Sequence, residues 1–539
     1  IKYLKGLGSS TPEEARDYFK DVNNPIVKYI QDKKAGETMS LAFDKKRAGD
    51  RKRWLMDFDP KDVNLSTVRN LDISDFVNKE LIRFSRGDVA RSIPSSIDGL
   101  KVSQRKALYG SFLKGIINTE SKVAQLTGFV SDKMQYHHGE SSMSGTIVGL
   151  AQDFVGSNNI NYLLPKGQLG SRLEGGKDAV SPRYTFVQMN PLTPLIFRPE
   201  DNAVLDMTHE DGQTAEPVYY VPIIPTVLVN GCTGIGTGYS TTIPQFNPAD
   251  IIENVKRRIN NEPAKDLTPW YKGFSGTITA SDGGFISKGV YQIIGTKVYI
   301  TDLPVGTWTT PYKIFLESLL EKKSIISYTE KCTDATVDFV VELKDEEFKD
   351  CKDTIEKLEK ELKLTSVLRT TNMHMFDHDG KVKKYESVSS IESDHFVKRL
   401  ETYHKRKSFV LSVMRYEYKV LSEKPRCLEC KIKGEIVLEN VSLEDVIGVL
   451  RGLAFEPIES RYGDSEKSFD YIASLKLFDL TLQKMEKLRT DSSHSLSRIE
   501  AYEKMSIESM WMNDPEEVEA KWSKIEYYKI CCHKKIMCL

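Results

Sequence analysis

The chain has 539 residues and 61.2 kDa, enough for three or four domains and several apolar cores. With 40% hydrophobic and 28% charged residues, and Gly and Pro filling only 55 positions, it is not disordered, collagenous or a disulfide miniprotein. No apolar run approaches the ~18–20 residues of a membrane span, and eight Cys in a chain this long point to a reducing compartment rather than a disulfide framework. The formal net charge is -1, yet residues 1–200 carry 30 Lys and Arg against 23 Asp and Glu, leaving the remainder at -8. A basic N-terminal part joined to an acidic remainder fits a localised nucleic-acid footprint. Residue 1 is Ile and no signal-peptide pattern follows, so the chain is expected to be an internal piece or to lack its start.

In chain order, KGLGSS is followed by TPEEARDYF. Thr11 is a candidate N-cap, Pro12 the first helical residue, and Glu13 and Glu14 fill the first turn. Residues 45–53 (KKRAGDRKR) form a basic cluster, read as a solvated helix face or linker. From Ile73 to about Arg198, short helical patterns alternate with Gly-rich turns. SIPSSIDGL at 92–100 is a loop, and Ser103 to Leu113 is a basic helix with Gln104, Arg105 and Lys106 in its first turn. A helix starts over Lys122 to Leu126, and another covers 142–154. Gly167 to Gly176 is a hairpin candidate. Short helices followed by a Gly-rich β-wing suit a winged-helix DNA-binding unit.

Residues 217–345 change character. PVYYVPIIPTVLVNG is β-branched and Pro-interrupted, KVYITDLP and TVDFVVEL read as strands, and TPYKIFLESLL reads as a helix, which makes an α+β domain. From about Ile391, one apolar stripe runs through Phe396, Leu400, Tyr403, Val410, Met414 and Leu421. A second runs through Phe478, Leu482, Met485 and Leu488. The two suggest an antiparallel coiled coil. Cys427 and Cys430, with Cys531, Cys532, His533 and Cys538, admit a zinc reading, but no second tight pair lies nearby and packing is the simpler reading.

Several segments then coincide in order. They are KGLGSS (5–10), RSIPS (91–95), DGLKVSQRK (98–106), KVAQL (122–126), YHHGE (136–140), FVGSNN (154–159), QLGSR (168–172), GGKDAVSPRY (175–184) and NGCTGIGTG (230–238). Together with TDLPVGTWT (301–309), FDHDGKVKKY (376–385) and FDYIASLKLFDLT (469–481), they resemble the breakage–reunion core of type IIA DNA topoisomerases. The resemblance covers essentially the whole chain and is to the eukaryotic-type enzyme. Bacterial gyrase A would have a Pro between the histidines, which are adjacent here as His137 and His138.

The resemblance implies four regions. Residues 1–65 would be the C-terminal part of a Toprim domain and a linker, 66–215 a winged-helix cleavage domain, 216–390 a tower domain, and 391–539 a coiled coil with a helical dimerisation gate. The fold class is then multidomain α/β and α. Tyr184 is implied as the nucleophile that forms a 5′-phosphotyrosyl link. A phenol ionises near pH ~10, so it needs positive charge or a base beside it, and Arg183 supplies charge. Arg91 offers a planar fork to the scissile phosphate. His138, rather than His137, would face DNA and bond a phosphate oxygen or move a proton. Lys101, Gln104, Arg105, Lys106 and Lys122 are implied contacts to backbone phosphates, which position DNA without reading sequence. Ile235 in GIGTG would wedge between base pairs, at a cost of a few kcal/mol recovered through bending; a nucleotide-binding loop is the competing reading, but GIGTG is not GxGxxG.

Read without the resemblance, each of these residues has a plainer role as a packed aromatic, a capping histidine, a surface ion pair or a solvated basic face. Mg2+ and ATP are implied cofactors, with ligands expected upstream of Ile1, and no metal ligands are assigned within the chain. The implied partners are double-stranded DNA and a second copy in a homodimer, with no membrane. The compartment would be the nucleus, or a virus factory or virion if the source is a large DNA virus. Two other classes fit parts of the pattern: a non-enzymatic DNA-bridging protein with coiled-coil arms, and a different tyrosine transesterase such as a type IA topoisomerase.

Overall fold

In the computed structural model, residues 11–20, 27–59, 70–210, 212–344, 352–437, 441–458, 467–473 and 481–537 are described. KGLGSS, Phe478 and the side chains of Cys531, Cys532, His533 and Cys538 lie outside them. The first described helix, Pro12–Lys20, starts as its sequence predicts. The Thr11 hydroxyl accepts from Glu14 N–H (3.2 Å), and the Glu14 carboxylate accepts from Thr11 N–H (2.8 Å). This reciprocal pair is a complete capping box.

Contacts divide the chain into two units. The first comprises residues 1–188, 226–247 and 268–390, and the second 189–225, 248–267 and 391–539. The units interleave along the sequence, because the chain crosses between them several times.

In the first unit a continuous helix runs from Ile73 to Ser92, with a π-helical stretch over Phe76–Leu81. Three helices follow, Val102–Lys114, Val123–Lys133 and Glu140–Ala151, packed on one another around buried Leu108, Leu126, Val130 and Ile147. A three-stranded sheet accompanies them, with Phe186–Met189 between Ser121–Lys122 and Leu163–Lys166. The hairpin expected at 167–176 is not formed; that stretch is a series of turns. Its backbone is satisfied by side chains instead of a ladder. Gln152 Nε2 donates to the carbonyls of Leu169 (2.9 Å) and Gly176 (3.1 Å). Asp178 accepts from the Ser171 N–H (2.9 Å) and hydroxyl (2.5 Å), and buried Arg172 pairs with Asp302 (2.5 Å).

The α+β segment forms as read. KVYITD at 297–302 and FVVEL at 339–343 are strands of a four-stranded sheet, and Thr309–Glu321 is a helix whose buried Tyr312 and Leu316 pack on it. In the β-branched 217–231 stretch, by contrast, Thr226–Asn230 is a short helix.

The second unit holds most of the 45-residue helix Val388–Ile432 and the helix Leu482–Lys504. Their stripes meet where Leu421 and Leu428 pack against Met485 and Leu488. Arg415 pairs with Glu503 at one end and Glu429 with Arg489 at the other, so the two helices run antiparallel. Cys427 is buried in an apolar cluster with Leu450, Phe455 and Tyr471. Burial pushes its thiol up to about 11. Among the described residues no helix is long and apolar enough to cross a membrane.

Candidate active site

Tyr184 ends the turn that begins at Ser181, whose carbonyl accepts from Tyr184 N–H (3.0 Å). The turn is tied down on both sides: Val123 N–H donates to the Thr185 carbonyl (3.0 Å) and Ala124 N–H to the Pro182 carbonyl (3.1 Å). These are first-turn donors of the Val123–Lys133 helix, groups that a helix cannot satisfy internally. With Thr185 buried and Tyr184 69% exposed, the backbone is fixed while the phenol faces solvent. Arg183 beside it is also exposed. Lys122, opposite Phe186 in the sheet, is exposed and carries its ammonium 5.7 Å from the Phe186 ring centroid. Arg183 and Tyr184, just before the central strand, and Lys122, on the strand beside it, thus lie at the same end of the sheet.

Arg91 sits in the last turn of the helix ending at Ser92, where the helix dipole favours a cation. Its guanidinium lies over the Phe84 ring (5.9 Å) and 3.9 Å from Asp88, and its side chain is 44% exposed. His138 is exposed in the loop before the Glu140–Ala151 helix, with its ring 5.3 Å from Tyr136 in an edge-on arrangement. His137 is exposed next to it.

Ile235 is 84% exposed, a large departure from what burial of an aliphatic side chain would favour. It lies on the strand Cys232–Gly236, which pairs with Tyr239–Ile243. Side chains alternate across a strand, so Gly234 and Gly236 face the other way. A Cβ on Gly234 would collide with the Ser92 carbonyl oxygen, and one on Gly236 would lie 3.1 Å from Val89 Cα. The two glycines let the hairpin lie directly on the Arg91 helix, and Ile235 is left facing outward.

The basic helix Val102–Lys114 requires a correction. Arg105 and Lys106 were expected to face DNA, but both are buried. Arg105 makes a two-pronged pair with buried Asp98 (2.7 and 3.0 Å) and donates to the Leu100 carbonyl (2.9 Å). Lys106 Nζ donates to the Met134 carbonyl (2.8 Å). These cations organise the DGLK loop and the helix packing. Gln104 reaches back to the Lys101 N–H (2.9 Å), an N-terminal cap. Lys101 is partly exposed, and its Nζ donates to the Thr233 carbonyl (2.8 Å), two residues before Ile235.

Several positioning groups carried no sequence signal. Asp88 accepts from both the N–H (2.8 Å) and the hydroxyl (3.0 Å) of Thr237, at the hairpin tip. Lys52, from the basic cluster, lies over the Tyr239 ring (5.1 Å) and 3.0 Å from His374 Nε2. Burial and the neighbouring Lys52 hold that imidazole below its ordinary value, so its neutral Nε2 accepts a hydrogen bond from the ammonium. The GGKDA motif is read more fully through Asp178, which closes the loop leading to Tyr184.

Residues 91–516 match the family model of the DNA gyrase/topoisomerase IV A subunit, and residues 1–89 match the C-terminal associated domain of TOPRIM. The chain is 39% identical to a protein named DNA topoisomerase 2 from Arabidopsis thaliana, over 98% of this chain and 38% of the relative. It is 36% identical to DNA topoisomerase 2 of Acanthamoeba polyphaga mimivirus, over 96% of this chain and 50% of the relative. The chain therefore spans half or less of the length of these curated relatives. The crystal structure of the Plasmodium falciparum topoisomerase II DNA-binding, cleavage and re-ligation domain superimposes with a TM-score of 0.82 at 38% identity, covering 99% of this chain and 76% of that one. The chain belongs to the DNA gyrase/topoisomerase IV A-subunit family, as a core of the type IIA DNA topoisomerases.

Proposed function

We propose that this chain is the DNA-cleaving part of a eukaryotic-type topoisomerase II. The observation that carries the proposal is Tyr184, an exposed phenol on an immobilised backbone turn with Arg183 beside it. The phenol gives up its proton as its oxygen attacks a backbone phosphorus, the bond from phosphorus to the 3′ oxygen breaks, and the departing 3′ oxygen takes up a proton in turn. A 5′-phosphotyrosyl link remains, and the reverse attack by the 3′-hydroxyl reseals the strand. Arg183 and Arg91 supply fixed positive charge to the phosphate oxygens as charge builds on them. His138, exposed on its loop, bonds a phosphate oxygen or carries the proton. Lys101 and Lys122 hold the backbone, and Ile235 wedges between base pairs to bend the duplex.

In this reading the helices of 102–151 and their sheet are the winged-helix unit, the sheets of 277–369 belong to the tower, and the antiparallel helix pair leads to a gate that joins two copies. A second duplex passes through the break in an ATP-dependent step performed by the parent protein. A divalent metal, when bound, supplies further charge at the phosphate. Among the described residues no three His, Cys, Asp or Glu side chains come together to hold a metal ion. The site of action is nuclear, or a virus factory or virion for a viral source.

The test uses the full-length parent with supercoiled circular DNA and Mg2+, stopped with denaturant. Wild type is expected to give linear DNA with protein on its 5′ ends, and Tyr184→Phe none. Single-strand breaks alone would indicate a different tyrosine transesterase. No adduct, with DNA binding intact, would leave a DNA-bridging protein.

A further inference from the structure

The exposed Ile235 and the cation Arg91 belong to segments far apart in sequence, yet one carboxylate lies between them. We propose that Asp88 is a positioning residue that couples the insertion of Ile235 into DNA to the capture of the phosphate by Arg91. The inference rests on the roles of Ile235 and Arg91 given above and adds the element that links them.

Asp88 lies one turn before Arg91 on the same helix. Its Oδ2 accepts two hydrogen bonds from Thr237, 149 residues away in sequence: one from the N–H (2.8 Å) and one from the hydroxyl (3.0 Å). Its other oxygen, Oδ1, lies 3.9 Å from Arg91 Nη2. Thr237 and Gly238 form the two-residue turn between the strands, with Gly238 at φ 77°. The pin is therefore at the tip of the hairpin, two residues from Ile235. The hairpin base is fixed separately, by the contact of Gly234 with Ser92 and by Lys101 Nζ on the Thr233 carbonyl (2.8 Å).

The Tyr239–Ile243 strand is braced by Asn372, whose carbonyl accepts from Thr242 N–H (3.0 Å) and whose amide donates to the Ser240 hydroxyl (2.8 Å), whereas the strand that carries Ile235 has, among the described residues, no paired strand but Tyr239–Ile243 and little rigidity of its own. Pushing a side chain between stacked bases loads it with an opposing force. The tip also packs on Val89 and Arg51, through Gly236 and Gly238; Asp88 adds its polar tie, without which the tip yields more readily under that load. With Asp88, the load passes into the helix that carries Arg91, so unstacking and phosphate capture occur in register. Charge-assisted hydrogen bonds are suited to this, being shorter and stronger than neutral ones.

The experiment uses the full-length parent and a duplex with 2-aminopurine at the step where Ile235 inserts. Unstacking is read as fluorescence without metal, and covalent adduct is read with Mg2+. DNA affinity and melting temperature are measured in parallel. Asp88→Ala is expected to lower the adduct about tenfold and the unstacking signal with it, while affinity stays within about threefold. Thr237→Val, which leaves Asp88 beside Arg91, is expected to lower both signals less, and Thr237→Ser to restore them. This variant keeps the test open should Asp88→Ala fold poorly. Rescue by a hydroxyl separates positioning from general loss of structure.

Loss of adduct with unstacking unchanged in Asp88→Ala would overturn the coupling and confine Asp88 to Arg91. No change in either signal would overturn the proposal outright. Ile235→Ala tells the two levels apart. If it abolishes unstacking and Asp88→Ala does not, only the role of Asp88 falls. If Ile235→Ala leaves unstacking at the wild-type level, the wedge role falls and the coupling with it.

Discussion

At the scale of single residues, the burial of Arg105 separates charge that holds the protein together from charge offered to DNA. Asp98 and Arg105 are both almost fully buried, and each satisfies the other with two hydrogen bonds. Removing one partner of such a pair leaves an uncompensated charge in the interior. Arg105→Ala is therefore expected to cost about 3–5 kcal/mol, read by urea unfolding of the first unit. Lys101→Ala, at a half-exposed site, is expected to cost under ~1 kcal/mol and to weaken DNA binding instead. Equal stability losses in the two variants would contradict this division. The stretch KVSQRK has five polar or charged residues that look alike in sequence, and only the packing separates them.

At the scale of elements, the Val388–Ile432 helix shows how a long amphipathic pattern accommodates polar residues. Arg399 is fully buried and donates to Asp201 (2.5 Å) and to the Val221 carbonyl (2.6 Å). One turn earlier, His395 Nε2–H donates to the Pro222 carbonyl (2.9 Å). Burial, reinforced by the Arg399 charge, pushes the His395 imidazole down to about 3. Its folded value lies below the ordinary 6.5, so the unfolded chain binds the proton more readily. The resulting stability is complete above pH ~6.5 and is lost as pH falls toward the folded value. Between those limits the slope is about 1.4 kcal/mol per pH unit. His395→Gln, which keeps a donor for Pro222, is expected to flatten the decline between pH ~6.5 and ~5. Hydrogen exchange along the helix measures it, and identical pH profiles for the two proteins would refute it. The stripe through Tyr403 and Leu421 was legible because its period is that of a helix. His395 and Arg399 were not legible, since their partners at Asp201, Val221 and Pro222 are distant in sequence.

At the scale of the whole molecule, a formal net charge of -1 predicts little affinity for a polyanion. The excess of cations in residues 1–200 predicts the opposite, because phosphates respond to local charge within a Debye length. Duplex binding by the parent protein is expected to fall about a thousandfold between ~50 and ~200 mM salt, a log–log slope near -5. Equilibrium titration at four salt concentrations tests this, and a slope near zero would assign affinity to non-electrostatic contacts. The structure reduces the number of cations available for such contacts. Arg105, Lys106 and Arg172 are spent in the interior, whereas Arg91, Lys122 and Arg183 remain accessible.

Local chemistry was legible along the chain: the Thr11–Glu14 cap, the strands at 297–302 and 339–343, the helical stripes, and the tyrosine–arginine pair at 183–184. Each depends on neighbours a few residues away, where backbone geometry and side-chain period leave few choices. The tertiary structure alone decided which cations face outward, why Gly234 and Gly236 must be glycine, and that Asp88 meets Thr237 across 149 residues. Those outcomes depend on which surfaces exclude water from which, and only the assembled packing decides that.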